Sequence, residues 1–480
     1  MQELSPSSPL RLASTVDRRR YALVGAGGRS WMFTHALAGT YSATSELVAF
    51  CDTNATRMKF YNSEIASKFG HAPVPMYAAA DFDRMVSETR PDVVIVCSID
   101  RTHHTYIVRA MELGCDVISE KPMTTDIEKC REILDAVERT GRRLTVTFNY
   151  RYSPLRSKVK ELLAAGAIGE VQSVHFEWLL DRNHGADYFR RWHRDKRNSG
   201  GLMVHKSTHH FDLINWWLDS SPETVFAMGA LRFYGKENAR RRGVESFYER
   251  GTGAPEAEGD PFALDLRKSP NLKSLYLDAE HEDGYMRDQS VFSDGITIED
   301  TMNVLVRYKS GAQMSYSLHA YAAWEGYRVS FNGTKGRLEV NHQEASYINA
   351  GTGALKEGVS SSEQLLLLPL FGPPQVVEIP QGYGGHGGGD PLMLEDIFGE
   401  AAQSGTREDP LHRCADHIDG ARSILTGIAA NISMETGAPV RVDDLLALDD
   451  PAIPAMGEIV KKGCMADVAD AARVADPVLS

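Results

Sequence analysis

Long apolar runs are missing from this sequence: none approaches the ~18 residues a membrane-crossing helix requires, so no helical span is expected. Cysteine is scarce. The six that occur, at positions 51, 97, 115, 130, 414 and 464, form no CxxC pair and no regular spacing. They read as small core residues in a reducing compartment. Positive charge is the third shortage, with 52 Lys and Arg against 65 Asp and Glu and a net charge of −13. A field of that sign repels phosphate backbones and anionic bilayers, which argues against nucleic acid and membrane as partners. There is also no internal repeat.

What is present is ordinary globular material: 42% hydrophobic and 24% charged residues over 480 positions, enough for two domains. Residues 1–18 are rich in Ser and Pro and read as a flexible arm. Arg18-Arg19-Arg20 before YALVGAGG has the look of a twin-arginine leader. Its apolar part is shorter than the ~7–15 residues of a signal, so the stretch reads as a first strand and the location as cytoplasmic.

From Tyr21 the pattern is strand, glycine turn, helix. Gly25 and Gly27 allow a tight turn and close approach to a pyrophosphate; Gly28, Arg29 and the small Ser30 complete the dinucleotide fingerprint. A second strand, 47–51, ends at Asp52, placed to accept ribose hydroxyls or to cap the helix starting near Ala55. An anion there disfavours a ribose phosphate, so NAD is expected over NADP, an expectation that Arg57 weakens slightly. The apolar run 93–97 is followed by a loop carrying Ser98 and His103 that should overhang the cofactor. Asp116 to Ile118 is the next strand and delivers Glu120, Lys121 and Pro122 to the carboxyl edge, where open α/β sheets bind ligands. After a helix at 126–139 and a strand at 144–148 ending in Asn149, residues 19–149 form a doubly wound parallel sheet, a Rossmann domain.

Beyond Asn149 a helix at 153–166 leads to strands at 171–180, 224–235, 298–308, 312–320 and 327–331, with a glycine hairpin at 332–337. Residues 150–465 are therefore expected to be an α+β domain with a large, mostly antiparallel sheet, giving an α/β protein overall. The polar, aperiodic segment 236–296 reads as an insertion reaching over the site or toward a neighbouring subunit. Helices are expected at 392–404 and 413–434, and 466–480 is a polar tail.

Two stretches of the second half carry titratable groups. Within 199–218 a single helix would place His205, His209 and Asp212 on one face, with Lys206 and His210 beside it. The spacing of His205 and His209 is acceptable for zinc, but the adjacent Lys206 would repel a cation, and no metal is expected. Upstream, five Arg or Lys within 190–197 reverse the local sign of charge. They read either as a solvated loop or oligomer contact, or as a grip on an anionic sugar through Arg191, His193 and Lys206. Tyr150, Tyr152, Tyr188 and Trp192 offer stacking surfaces for a pyranose. His386, among glycines, and Glu299, Asp300 and Glu325 are placed to complete a pocket from the second domain.

The combination of GAGGRS at 25–30, Asp52, SEKP at 119–122, FNYRY at 148–152, IGEVQSV at 168–174, the helix at 199–218 and NGTKGRLEV at 332–340 resembles the Gfo/Idh/MocA family of NAD(P)-dependent, mostly sugar-acting oxidoreductases. The resemblance implies that Lys121 lies beside the nicotinamide and helps activate the substrate hydroxyl. It implies that His209 contacts that hydroxyl and Asp212 supports it. His205 stands where many members carry aspartate, which leaves the base open among Lys121, His205 and His209. The expected activity is removal of hydride from a secondary hydroxyl, at carbon 3, of an anionic pyranose or pyranoside. The alternatives are a redox-neutral NAD-dependent glycoside hydrolase, as in the sulfoquinovosidases, and a non-catalytic sugar sensor. A homodimer or homotetramer is implied by the same resemblance.

Overall fold

The computed structural model describes residues 18–345 and 362–448. The arm, apart from Arg18, the tail at 466–480 and Cys464 lie outside the described residues. Six strands, β1 (Arg19–Val24), β2 (Ser45–Asp52), β3 (Met76–Ala78), β4 (Val93–Val96), β5 (Asp116–Ser119) and β6 (Leu144–Val146), pair in the order β3-β2-β1-β4-β5-β6. Every ladder is parallel. All four residues of β4, Val-Val-Ile-Val, are buried, as a strand covered on both faces by helices must be. The covering helices are α1 (Ser30–His35), α2 (Ala55–Phe69), α3 (Phe82–Thr89), α4 (His103–Glu112) and α5 (Ile127–Thr140). The arginine run begins β1 itself: Arg19 pairs with Asp116 at 3.0 Å and Arg20 with Glu46 at 3.0 Å. The order reverses between β1 and β4, so the loops after these strands diverge and leave a crevice at the carboxyl edge.

The helix α6 (Pro154–Ala164) leads into β7 (Val171–Asp181), which ends in α7 (Arg182–Arg190). Between β7 and β8 (Pro222–Ala230) lie α8 (Lys196–Ser199), α9 (Leu202–His205) and α10 (Thr208–Leu218). The single helix expected over 199–218 is thus an elbow. Gly200 and Gly201 are left-handed (φ 69° and 76°), and Ser207 N–H reaches Leu202 O, five residues back, widening the turn before α10. His205 and His209 therefore leave different helices.

Strands β9 (Thr301–Tyr308), β10 (Gln313–Ala322), β11 (Glu325–Gly333), β12 (Gly336–Ala345), β13 (Ser362–Pro369), β14 (Gln375–Val376) and β15 (Val440–Arg441) complete a nine-stranded sheet ordered β14-β13-β12-β11-β7-β10-β9-β8-β15. Only β7–β10 is parallel. Strict alternation along β9 buries Met302, Val304, Val306 and Tyr308 on one face. The other face leaves Met228 and Leu305 exposed. β12 is the returning arm of the glycine hairpin at 332–337. β13 to β15 were not foreseen; β14 and β15 are too short for a readable pattern, and the leucine run of β13 has no period of two.

The segment 236–296 holds α11 (Lys236–Arg241), α12 (Pro270–Leu275) and α13 (Glu280–Asp283) with short 3-10 turns. Its Leu266, Leu275 and Tyr276 enter the same core as Tyr21 and Leu23 of β1, so the insertion lies against the first sheet. Downstream are α14 (Gly385–Phe398), α15 (Glu400–Gln403) and α16 (His417–Thr436), and Phe398 packs edge-on to Tyr21 at 5.2 Å. Cys51, Cys97, Cys115 and Cys130 are free thiols, whereas Cys414 is disulfide-bonded, against the reading of all six as small core residues in a reducing compartment. No helix among the described residues is long and apolar enough to cross a membrane.

Candidate active site

A crevice of about 680 Å³ opens at the carboxyl ends of β1, β2, β4 and β5. Gly25 sits at φ 91°, and a Cβ there would lie 2.5 Å from the Cys97 carbonyl carbon, so no other residue fits the turn. A Cβ on Gly27 would meet nothing within 4 Å, so the loop shows an open face to the crevice. Asp52 accepts Ala26 N–H at 2.5 Å and Asn54 N–H at 2.8 Å. It is not the cap of α2, a role taken by Asn54, which accepts Arg57 N–H. Arg29 pairs with Glu120 at 2.7 Å. Ser30 is a correction: its hydroxyl turns back to Gly27 O at 2.6 Å, behind the loop and out of the crevice. This open loop, with an acidic residue at the tip of the next strand, fits a dinucleotide.

Lys121, just past β5, donates to His205 O at 3.2 Å. Burial pulls its amine down to about 8, although Asp100 and Glu120 pull the other way. His205 Nδ1 faces Asp100 Oδ2 at 2.5 Å, its ring lies 4.1 Å from His193, and His193 stacks on Trp192 at 3.6 Å. His209 stacks on Tyr150 at 4.1 Å and 11°, and its Nδ1 is buried without a hydrogen-bond partner among the described residues. Lys206 donates to the Tyr150 hydroxyl at 3.0 Å. Burial, reinforced by Lys121, holds His205 and His209 well below the usual imidazole range, so both are neutral at pH 7.

Gly25, Gly27, Gly28, Arg29, Asp52, Ser98, His103, Glu120, Lys121 and Asn149 all line this one crevice, as do Tyr150, Arg191, Trp192, His193, His205, Lys206, His209 and His386. His103 is held between Pro122 O at 2.8 Å and Ser98 O at 3.0 Å. Asp390 ties Asn149 (2.6 Å) to His386 (2.8 Å).

Five further expectations are corrected. Asp212 does not support His209: it binds Arg151 at 2.5 and 2.9 Å, both side chains wholly buried. His210 lies in the core, bonded to Tyr316 at 2.6 Å and stacked on Trp178 at 4.0 Å, and Tyr152 packs beneath Arg413; neither reaches the crevice. The basic cluster is mostly engaged in holding the fold. Arg190 donates to Phe262 O, Arg194 to Ser293 and Asp294, Lys196 pairs with Glu299 and Arg197 with Asp195. Asp300 caps the backbone amides of Arg232, Phe233 and Tyr234.

Three groups were missed. Asp100 stands in the loop read as overhanging the cofactor, and an acid at that position was the available signal. His184 bridges Glu325 (2.8 Å) and the Tyr188 hydroxyl (2.9 Å). With Nδ1–H given to Glu325, Nε2 accepts from Tyr188, so a relay ends on a phenol in the crevice. Burial raises Glu325, against the pull of His184, and pushes Tyr188 up to about 12. Tyr276 and Asp283 come from the insertion, where no pattern announced them. Among the described residues no group of three or more His, Cys, Asp or Glu side chains is arranged to hold a metal ion.

Residues 19–148 match an oxidoreductase-family model described as an NAD-binding Rossmann fold, and residues 160–442 match the C-terminal alpha/beta domain of the same oxidoreductase family. The chain is 37% identical over 437 residues to the protein named as oxidoreductase YteT of Bacillus subtilis, covering 87% of this chain and 96% of that one. It is 31% identical over 165 residues to D-glucoside 3-dehydrogenase of Escherichia coli, a match covering 34% of this chain and 44% of the relative. Among solved structures, the aldose-aldose oxidoreductase of Caulobacter crescentus complexed with glycerol superposes with a TM-score of 0.58 at 17% identity, covering 88% of this chain and 99% of that one.

Proposed function

Since the chain belongs to the Gfo/Idh/MocA oxidoreductase family, we propose that it takes hydride from a secondary hydroxyl, at carbon 3, of a pyranose or pyranoside, with NAD as acceptor. The observation that carries this reading is a single crevice that joins the open glycine loop to Lys121, His205 and His209. Bound there, NAD would supply the hydride acceptor, held by the glycine loop and Asp52.

The chain's own residues would manage the proton. Oxidising an alcohol carbon requires its O–H proton to leave, and a base near neutral pKa has to reach the oxygen. Lys121, held at about 8, is neutral often enough to accept it. His205, oriented by Asp100, and His209, fixed by stacking on Tyr150, are neutral imidazoles able to bind the reacting and neighbouring hydroxyls. Asp52 favours NAD over NADP by repelling a ribose phosphate. An anionic sugar is favoured by Lys206, a buried amine with no carboxylate partner among the described residues.

The relay ending at Tyr188 favours one second reading, redox-neutral glycoside hydrolysis, because elimination and hydration need acid and base groups beyond those of hydride transfer. We further read the chain as cytoplasmic, and as a homodimer or homotetramer assembled through the outer face of the nine-stranded sheet, where Met228 and Leu305 are exposed. Incubation with NAD and a panel of neutral and anionic glycosides tests the function. Stoichiometric NADH supports the dehydrogenase, free sugar without NADH the hydrolase, and neither product would leave a sugar sensor. Turnover is expected to be lost in Lys121→Ala; wild-type turnover in that variant would refute the assignment.

A further inference from the structure

Residues 275–283 of the insertion are laced to the start of α2 by polar contacts on both sides. Asn54 Nδ2 donates to Ala279 O at 2.9 Å, Arg57 Nε donates to Leu275 O at 3.2 Å, and the Arg57 guanidinium pairs with Asp283 at 2.8 Å. Glu282 accepts the N–H groups of Ala55 and Thr56 and the Thr56 hydroxyl. Between these anchors Tyr276, itself buried, accepts Gly28 N–H on its hydroxyl at 2.9 Å. The Tyr276 ring and the Tyr285 ring each lie 5.6 Å from the Arg57 guanidinium, and all three residues line the crevice.

This places a foreign side chain on the glycine loop itself. An amide of the fingerprint already has a partner, and that partner keeps an O–H to give: a phenol that accepts from Gly28 donates in turn to whatever oxygen lies in front of it. At the other end, Asp283 joins Asp52 as a second carboxylate lining the crevice. A dinucleotide spanning from the glycine loop to Asp52 therefore lies beneath 275–285.

Resting on the reading of this crevice as the NAD site, we propose that Tyr276 and Asp283 belong to that site and that 275–285 is a strap over it. The Tyr276 hydroxyl donates to the diphosphate and Asp283 faces the adenosine ribose. The strap has to lift from Asn54–Arg57 before NAD enters or leaves. Strap opening then limits the exchange of reduced for oxidised cofactor. Asp283 offsets the Arg57 guanidinium that it pairs with, so the site rejects a ribose phosphate more strongly than Asp52 beside an unpaired Arg57 would.

The test is the rate at which the full-length protein binds and releases NAD, measured by stopped-flow quenching of protein fluorescence, together with the equilibrium affinity for NAD and NADP. Glu282 anchors the strap without lining the crevice, so Glu282→Gln should speed both entry and release by about 10-fold while the affinity moves much less, as loss of charge-assisted anchors predicts. Tyr276→Phe should weaken NAD binding, and Asp283→Asn should narrow the preference for NAD over NADP. Unchanged rates in Glu282→Gln, with NAD still bound by wild type, would overturn the strap and leave the cofactor site standing. No binding of NAD by wild type would overturn both. Should Glu282→Gln fail to fold, Tyr276→Phe, which keeps the ring and its packing, decides: unchanged NAD affinity overturns the assignment.

Discussion

His205 and Asp100 meet across 2.5 Å although 105 residues separate them, one on α9 beside the second sheet and the other in the loop after β4. Burial raises Asp100 well above the ordinary carboxylate range, against the pull of Lys121. With Asp100 ionised, Nδ1–H is given to it and Nε2 would be left as an acceptor for a substrate hydroxyl. Asp100→Asn removes that control. Its kcat/KM on an accepted sugar should fall by about 10²-fold, while NAD affinity, followed by fluorescence titration, stays at the wild-type level. An equal loss of NAD affinity would show that Asp100 supports the cofactor instead.

Lys121 predicts a pH profile. Below pH 8 the amine is protonated and cannot take the hydroxyl proton, so kcat/KM for oxidation should rise with pH through an apparent pKa of about 8 and then level off. Stability follows the same group. Its folded pKa of about 8 lies below the ordinary 10.5, so the unfolded chain binds more protons between those values and this lysine's contribution stabilises the fold as pH rises through that window. Lys121→Met should flatten both dependences, seen in rate profiles and in urea melts at pH 8 and pH 10.

Along the relay, Tyr188→Phe leaves the ring in place and removes the proton. If the phenol serves an elimination step, product sugar should fall by roughly 10²-fold or more while reduction of NAD in a single turnover persists. Glu325→Gln should give a smaller loss of the same kind. Equal loss of both signals in Tyr188→Phe would make the phenol a part of the hydride step.

The Arg151–Asp212 pair is structural. Arg151→Met strands a buried carboxylate and should cost about 3–5 kcal/mol in denaturant unfolding. Per folded molecule, kcat should change little.

Much of the fold was legible because its signals are local. The wholly apolar run at 93–96, the helix end at Gly141 and the turn that only Gly25 can make each follow from the chemistry of a few neighbours. The edge strands β14 and β15 escaped because two residues hold no period. Within the site, residue types were right more often than partners. An acidic residue was expected near the histidines, but Asp212 turned to Arg151 and Asp100 took its place.

By itself the sequence determined the parallel sheet, the glycine loop and the delivery of Lys121 to the strand ends, since steric limits and alternation act over a few bonds. Only the tertiary structure decided which carboxylate met which imidazole, that Ser30, Tyr152 and His210 turned away, and that Tyr276 came to rest on Gly28. Those pairings depend on how two sheets and an insertion dock, and burial makes an ion or hydrogen-bond partner necessary without saying from how far along the chain it comes.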